Sequence, residues 1–152
     1  MLKKKFYDFA GVWEGLKKNL TSSLAFCDFF YKIIGMTFEE ALTKIGVNTS
    51  DVLARFSGNE SLMKKFILKF PQDKSFPDTK AALASGDKKA LEISAHTLKG
   101  VSGNLGFSEL YETSAALVNA VRAGEEEKIK PLGEKVALLG DTIISILSQV
   151  QQ

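Results

Sequence analysis

The chain has 152 residues, 45% of them hydrophobic and 25% charged, the proportions of an ordinary soluble domain rather than of a disordered or membrane-embedded one. A formal net charge of +2 is too small for a nucleic-acid binder, which carries a concentrated basic stripe. No run of about 18 apolar residues offers a membrane span. The single cysteine, Cys27, leaves no internal disulfide and no cysteine-rich metal site, so a cytoplasmic protein is expected.

Residues 1–35 differ from the rest. They hold six Lys against three acidic residues and eight of the 15 aromatics, whereas 36–152 hold 14 Lys and Arg against 15 acidic residues. Met1 to Phe6 has the charge of a targeting segment, but Asp8, Glu14, Lys17 and Lys18 break the apolar stretch a secretory signal needs. A basic, aromatic-rich stretch fits an interfacial amphipathic helix, a packing arm or a segment upstream of the native module. Asp28 interrupts its most apolar part, so membrane contact is not expected. We divide the chain into an N-terminal extension, 1–35, whose role stays open, and a domain, 36–152, with Met36 as an alternative start.

From Met36 the helix signals become regular. Thr37 and Glu40 are spaced as a capping box, each side chain able to satisfy the other's free backbone N–H, and Gly46 is a stop. A short helix is predicted from about Ser50 to Phe56, ended by Gly58. Asn59 can cap the next helix, in which Leu62, Met63, Phe66, Ile67 and Phe70 form one apolar stripe. Pro71 and Pro77 follow, each suited to a kink or to the start of a new helix because proline lacks an N–H donor. A helical pattern resumes at Ala81, Ala82 and Leu83 and stops at Gly86.

Asp87 caps the helix that carries the only histidine, His96. The next helix is predicted from about Ser108 to Ala123, with Leu110, Ser114, Leu117, Val118 and Val121 inward and Gly124 as its stop. In the last helix Ile129, Leu132, Val136, Leu139, Ile143, Ile146 and Val150 are spaced alternately three and four apart, a narrow packing seam. No period-two run competes with these patterns. The fold class is therefore all-α: an antiparallel four-helix bundle with additional short N-terminal helices.

At about 100° per residue, Lys89, Glu92, Ile93, Lys99, Gly100 and Gly103 fall within roughly 60° of His96 on its helix. Leu91, Ala95, Leu98, Val101, Ser102 and Leu105 fall on the other side, so burying the apolar stripe presents His96 to solvent. A lone histidine is usually structural or incidental. Here Lys99, one turn away, can offer positive charge to phosphoryl oxygens, and Gly100 and Gly103 remove side chains that would obstruct a visitor. Each Gly costs about 1 kcal/mol against Ala inside a helix, which suggests a steric requirement. The plainer account is that the glycines permit close helix packing and that Lys99 is one more solvated charge.

Ala95-His96-Thr97-Leu98-Lys99-Gly100, followed by Gly103, Asn104, Leu105 and Gly106, resembles the signature of the histidine phosphotransfer (HPt) family. The segments Asp51 to Glu60, Ala81 to Asp87 and Phe107 to Leu110 are similar to that family's helix beginnings and ends, and the resemblance covers about 36–150. It implies that His96 is the phosphoacceptor, reacting through its outward Nε2, that Lys99 supports the phosphoryl charge, and that Gly100 and Gly103 keep the approach open.

It further implies a carrier, not an enzyme in its own right, whose partners are a response-regulator receiver domain and a sensor histidine kinase. No cofactor or metal of its own is expected; Mg²⁺ would sit on the receiver domain. Neither a Walker A pattern nor a kinase glycine loop is present. Ile93, Lys89 and Glu92 join the two glycines as a partner docking face, with Ile93 equally readable as a boundary core residue. A monomer is expected. The alternative is a non-catalytic helical-bundle adaptor that binds signalling proteins, anchored to a surface through residues 1–35.

Overall fold

The computed structural model describes residues 35–150. The chain divides into two compact units, 1–35 and 36–152; the predicted extension and Cys27 lie outside the described residues.

Three short helices come first. α1 (Phe38–Ile45) starts on the capping box, with the Thr37 N–H donating to Glu40 Oε2 at 2.9 Å and the Glu40 N–H to Thr37 Oγ1 at 3.2 Å. α2 (Thr49–Arg55) is capped by Asn48, and α3 (Glu60–Lys69) by Asn59, whose Oδ1 accepts from the Leu62 N–H at 2.9 Å. The predicted α3 stripe divides: Met63, Ile67 and Phe70 are buried, while Leu62 and Phe66 are 39% and 49% exposed. Leu62 and Phe66 are rotated about 100° from Met63 and Ile67, and a helix laid against a bundle from one side buries only the nearer row.

Pro71 and Pro77 both stand at helix starts, as their missing donor favours. Pro71 lies in a 3-10 turn (Phe70–Gln72), and Pro77 in the first turn of α4 (Ser75–Ser85). α5 (Lys88–Leu105), α6 (Ser108–Ala123) and α7 (Glu126–Leu147) follow. Two-residue links, Gly86–Asp87, Gly106–Phe107 and Gly124–Glu125, separate the last four helices. Links so short force each helix back along its predecessor. α4 packs on α5, α5 on α6, α6 on α7 and α7 on α4, closing an antiparallel four-helix bundle. α1 lies against α7, and α2 and α3 against α5. Met36 pairs with the residues just past α7 through its N–H to Gln149 O at 3.0 Å.

The bundle core holds Leu91, Ala95 and Leu98 of α5, Leu110, Leu117 and Val118 of α6, and Val136 of α7. At one end Phe70 meets Phe107 edge to face at 5.0 Å and Phe76 at 6.4 Å, tying the 3-10 turn to the bundle. All five α6 residues expected inward are buried.

The α7 seam is rolled from its predicted position. Ile129, Val136, Ile143 and Val150 are buried as expected, but Leu132, Leu139 and Ile146 are only half-buried, and Gly133, Gly140 and Leu147 take the inner places. The cause lies on α4. A Cβ on Gly140 would stand 2.1 Å from the Phe76 ring, and one on Gly133 2.5 Å from the Leu83 side chain. Large residues of α4 thus seat on small ones of α7, and the buried row keeps the seven-residue repeat while its second position moves one residue along, from Leu132, Leu139 and Ile146 to Gly133, Gly140 and Leu147.

Candidate functional site

α5 carries the site, and its two faces follow from its sequence. Asp87 Oδ1 accepts the Ala90 N–H at 2.9 Å and starts the helix. Leu91, Ala95, Leu98, Ser102 and Leu105 are buried against the bundle. Ser94 and Ser102, also buried, return their hydroxyls to the carbonyls of Ala90 (2.8 Å) and Leu98 (2.6 Å), so neither leaves an unmet donor. Gly106 ends the helix at φ +78°, a left-handed conformation open to glycine. It also leaves room for α2, since a Cβ there would meet Val52 Cγ2 at 2.3 Å.

With the apolar face inward, His96 stands exposed midway along α5. Among the described residues no hydrogen bond or ion pair holds its ring. Lys99, one turn further on, is half-buried, and among the described residues its ammonium pairs with no carboxylate. Lys89 is exposed on the same side. Ile93 is 60% exposed, so it faces solvent instead of closing the core. It borders a shallow trough with Thr97 of α5 and Ala81 and Ala82 of α4.

The remaining predicted residues divide. A Cβ on Gly100 would meet nothing within 4 Å, so the space beside His96 is open. A Cβ on Gly103 would stand 3.1 Å from the Tyr111 ring, so this glycine seats an α6 side chain as well as bordering the face. Glu92 accepts from Arg122 Nε at 2.7 Å through one carboxylate oxygen, which ties α5 to α6 on this face.

Two residues near the site were missed in the sequence. Tyr111, 41% exposed, covers Gly103. Arg55 of α2 donates through Nη1 to Gly103 O, placing positive charge at the C-terminal end of α5, where the helix dipole favours it. Tyr111 was legible in principle. Gly103 with Tyr111, and Glu92 with Arg122, are both symmetric about Phe107, as residues facing each other across a short antiparallel link must be. Arg55 carries no local signal, because its partner lies 48 residues away.

Among the described residues the arrangement offers an accessible imidazole, an ammonium without a carboxylate partner one turn away and clear space beside both. Among the described residues no group of three His, Cys, Asp or Glu side chains is placed to hold a metal ion, and no helix is long and apolar enough to cross a membrane.

Comparison with curated proteins gave no match, and comparison with solved structures gave none either. A family model described as the Hpt domain matches residues 72–152, from the end of the 3-10 turn through α4, α5, α6 and α7. An exposed histidine on an all-α bundle and a family match over that bundle agree: the chain belongs to the Hpt family, phosphocarriers of two-component signalling that interact with receiver domains and kinases.

Proposed function

We propose that this protein is a relay carrier whose His96 takes a phosphoryl group from one signalling protein and hands it to another. The observation that carries this reading is the outward His96 ring beside the open Gly100 surface and Lys99, both side chains without a polar partner among the described residues. A neutral imidazole has a lone pair able to attack phosphorus, and much of an ordinary histidine population is neutral near physiological pH.

In the forward step a ring nitrogen attacks the phosphorus of a receiver's aspartyl phosphate. The P–N bond forms, the P–O bond to the aspartate breaks, and the ring gives up its N–H proton. The return step reverses this, with the receiver's aspartate as acceptor. Lys99 stabilises charge on the equatorial oxygens. The receiver supplies the aspartate and the Mg²⁺ it binds, and a sensor histidine kinase stands at the head of the relay.

His96→Gln tests the assignment. Wild-type protein incubated with a phosphorylated receiver acquires acid-labile, base-stable phosphate, whereas His96→Gln acquires none and unfolds at the wild-type denaturant concentration. Labelling that persists in the variant refutes the site. A wild type that binds receivers without ever being labelled turns the reading to the adaptor.

A further inference from the structure

Beside the His96 face lies a second surface that phosphoryl chemistry does not use. Phe56, which follows the last residue of α2, and Phe66 of α3 face Val101, Asn104 and Leu105 of α5 across an open groove of about 650 Å³. Phe66 is 49% exposed although it stacks on Phe56 at 5.6 Å, and Leu62, one turn before it on α3, is 39% exposed. Clustered rather than scattered apolar exposure of this kind marks an interaction surface.

The rim is cationic. Among the described residues Arg55, Lys69 and Lys74 border the groove against a single carboxylate, Asp73. One oxygen of Asp73, Oδ1, already accepts from the Ser75 N–H at 2.9 Å and from the Ser75 hydroxyl. Among the described residues Lys69 and Lys74 pair with no carboxylate. The charge calls for an acidic occupant. It argues against a second copy of this chain, because a two-fold contact would set the same cations against each other.

Position links the groove to the site. Asn104 stands eight residues beyond His96 on α5, about 12 Å along the axis. An ordinary protein interface covers roughly 800 Å² on each partner, a disc of about 16 Å radius. A protein docked over His96 therefore reaches the groove.

We infer that this groove sets partner choice: it receives an acidic segment, tipped with an apolar side chain, of the protein that exchanges phosphate with His96. The inference rests on the His96 reading. α2 and α3 lie before the residues matched by the family model, so the groove is walled on one side by helices outside the matched bundle.

The test uses the full chain with Phe66→Ser, Lys69→Glu and Lys69→Arg, phosphoramidate as a small phosphodonor, and purified receiver domains of the same organism as acceptors. Phosphoramidate needs no docking surface, so all three variants label on His96 at the wild-type rate. With the receiver that wild type serves fastest, Phe66→Ser and Lys69→Glu raise the half-saturating receiver concentration about tenfold or more, the scale of a lost interface anchor. The maximal transfer rate is unchanged, Lys69→Arg behaves as wild type, and salt narrows the gap between wild type and Lys69→Glu.

Unchanged half-saturation in both Phe66→Ser and Lys69→Glu overturns the groove and leaves His96 in place. Failure of wild type to label, or labelling of His96→Gln, overturns the His96 reading and the groove with it. Self-association of the wild type that Phe66→Ser abolishes overturns the inference by assigning the groove to a second copy.

Discussion

In the seam between α4 and α7, Gly133 and Gly140 lie buried beneath Leu83 and Phe76, whereas on the outer face of α5 Gly100 has nothing within 4 Å of where its Cβ would stand. Both regions set glycine in the middle of a long helix, where it costs about 1 kcal/mol against alanine. In the seam, the fold itself accounts for the glycine: a ring occupies the space. On α5 no neighbour among the described residues does, and the space beside His96 stays open. Gly103 stands between these cases, exposed enough to border the face yet needed by Tyr111.

The comparison is sharpened most by Phe76→Ala. This ring is 3% exposed, and its removal should cost about 3–5 kcal/mol, read from the midpoint of urea unfolding. Next comes Gly140→Ala, which forces a Cβ into the Phe76 ring and should cost about 1–3 kcal/mol. Combined with Phe76→Ala the sign should turn, since with the ring gone the substitution gains up to about 1 kcal/mol of helix propensity. Additive losses in the double variant would break the account of the seam.

Gly100→Ala should do the opposite of Gly140→Ala in the wild-type background and stabilise by about 1 kcal/mol, because the added methyl meets only solvent. Gly100→Leu should keep the fold but slow transfer between His96 and a receiver while sparing labelling by phosphoramidate. Normal receiver transfer in Gly100→Leu would return this glycine to a purely local role. The smallest effect on stability belongs to Lys99→Ala, within about 0.5 kcal/mol. Its transfer rate should still fall, and an unchanged rate would make the lysine a bystander.

Much of this was legible because its causes are local. Thr37 with Glu40, Asn59 and Asp87 mark helix starts, since Thr37, Asn59 and Asp87 each accept an N–H three residues on and Glu40 accepts one three residues back. The bounds of α6, Ser108–Ala123, follow from its apolar spacing and the glycine after it. The outward stance of His96 follows from the periodicity of α5, because its buried stripe leaves one possible outer face.

What the sequence by itself determined about this protein is the starts of α1, α3 and α5, the bounds of α6, which side of α5 turns to water, and that the histidine stands there. Only the tertiary structure decided the roll of α7, the engagement of Glu92 by Arg122, the seat of Tyr111 on Gly103, the reach of Arg55 to α5, and the exposure of Leu62 and Phe66. The physical reason is one of range. Caps and helical periods are settled within a turn or two, while roll and pairing depend on the shape of a neighbouring helix that may come tens of residues away in the chain.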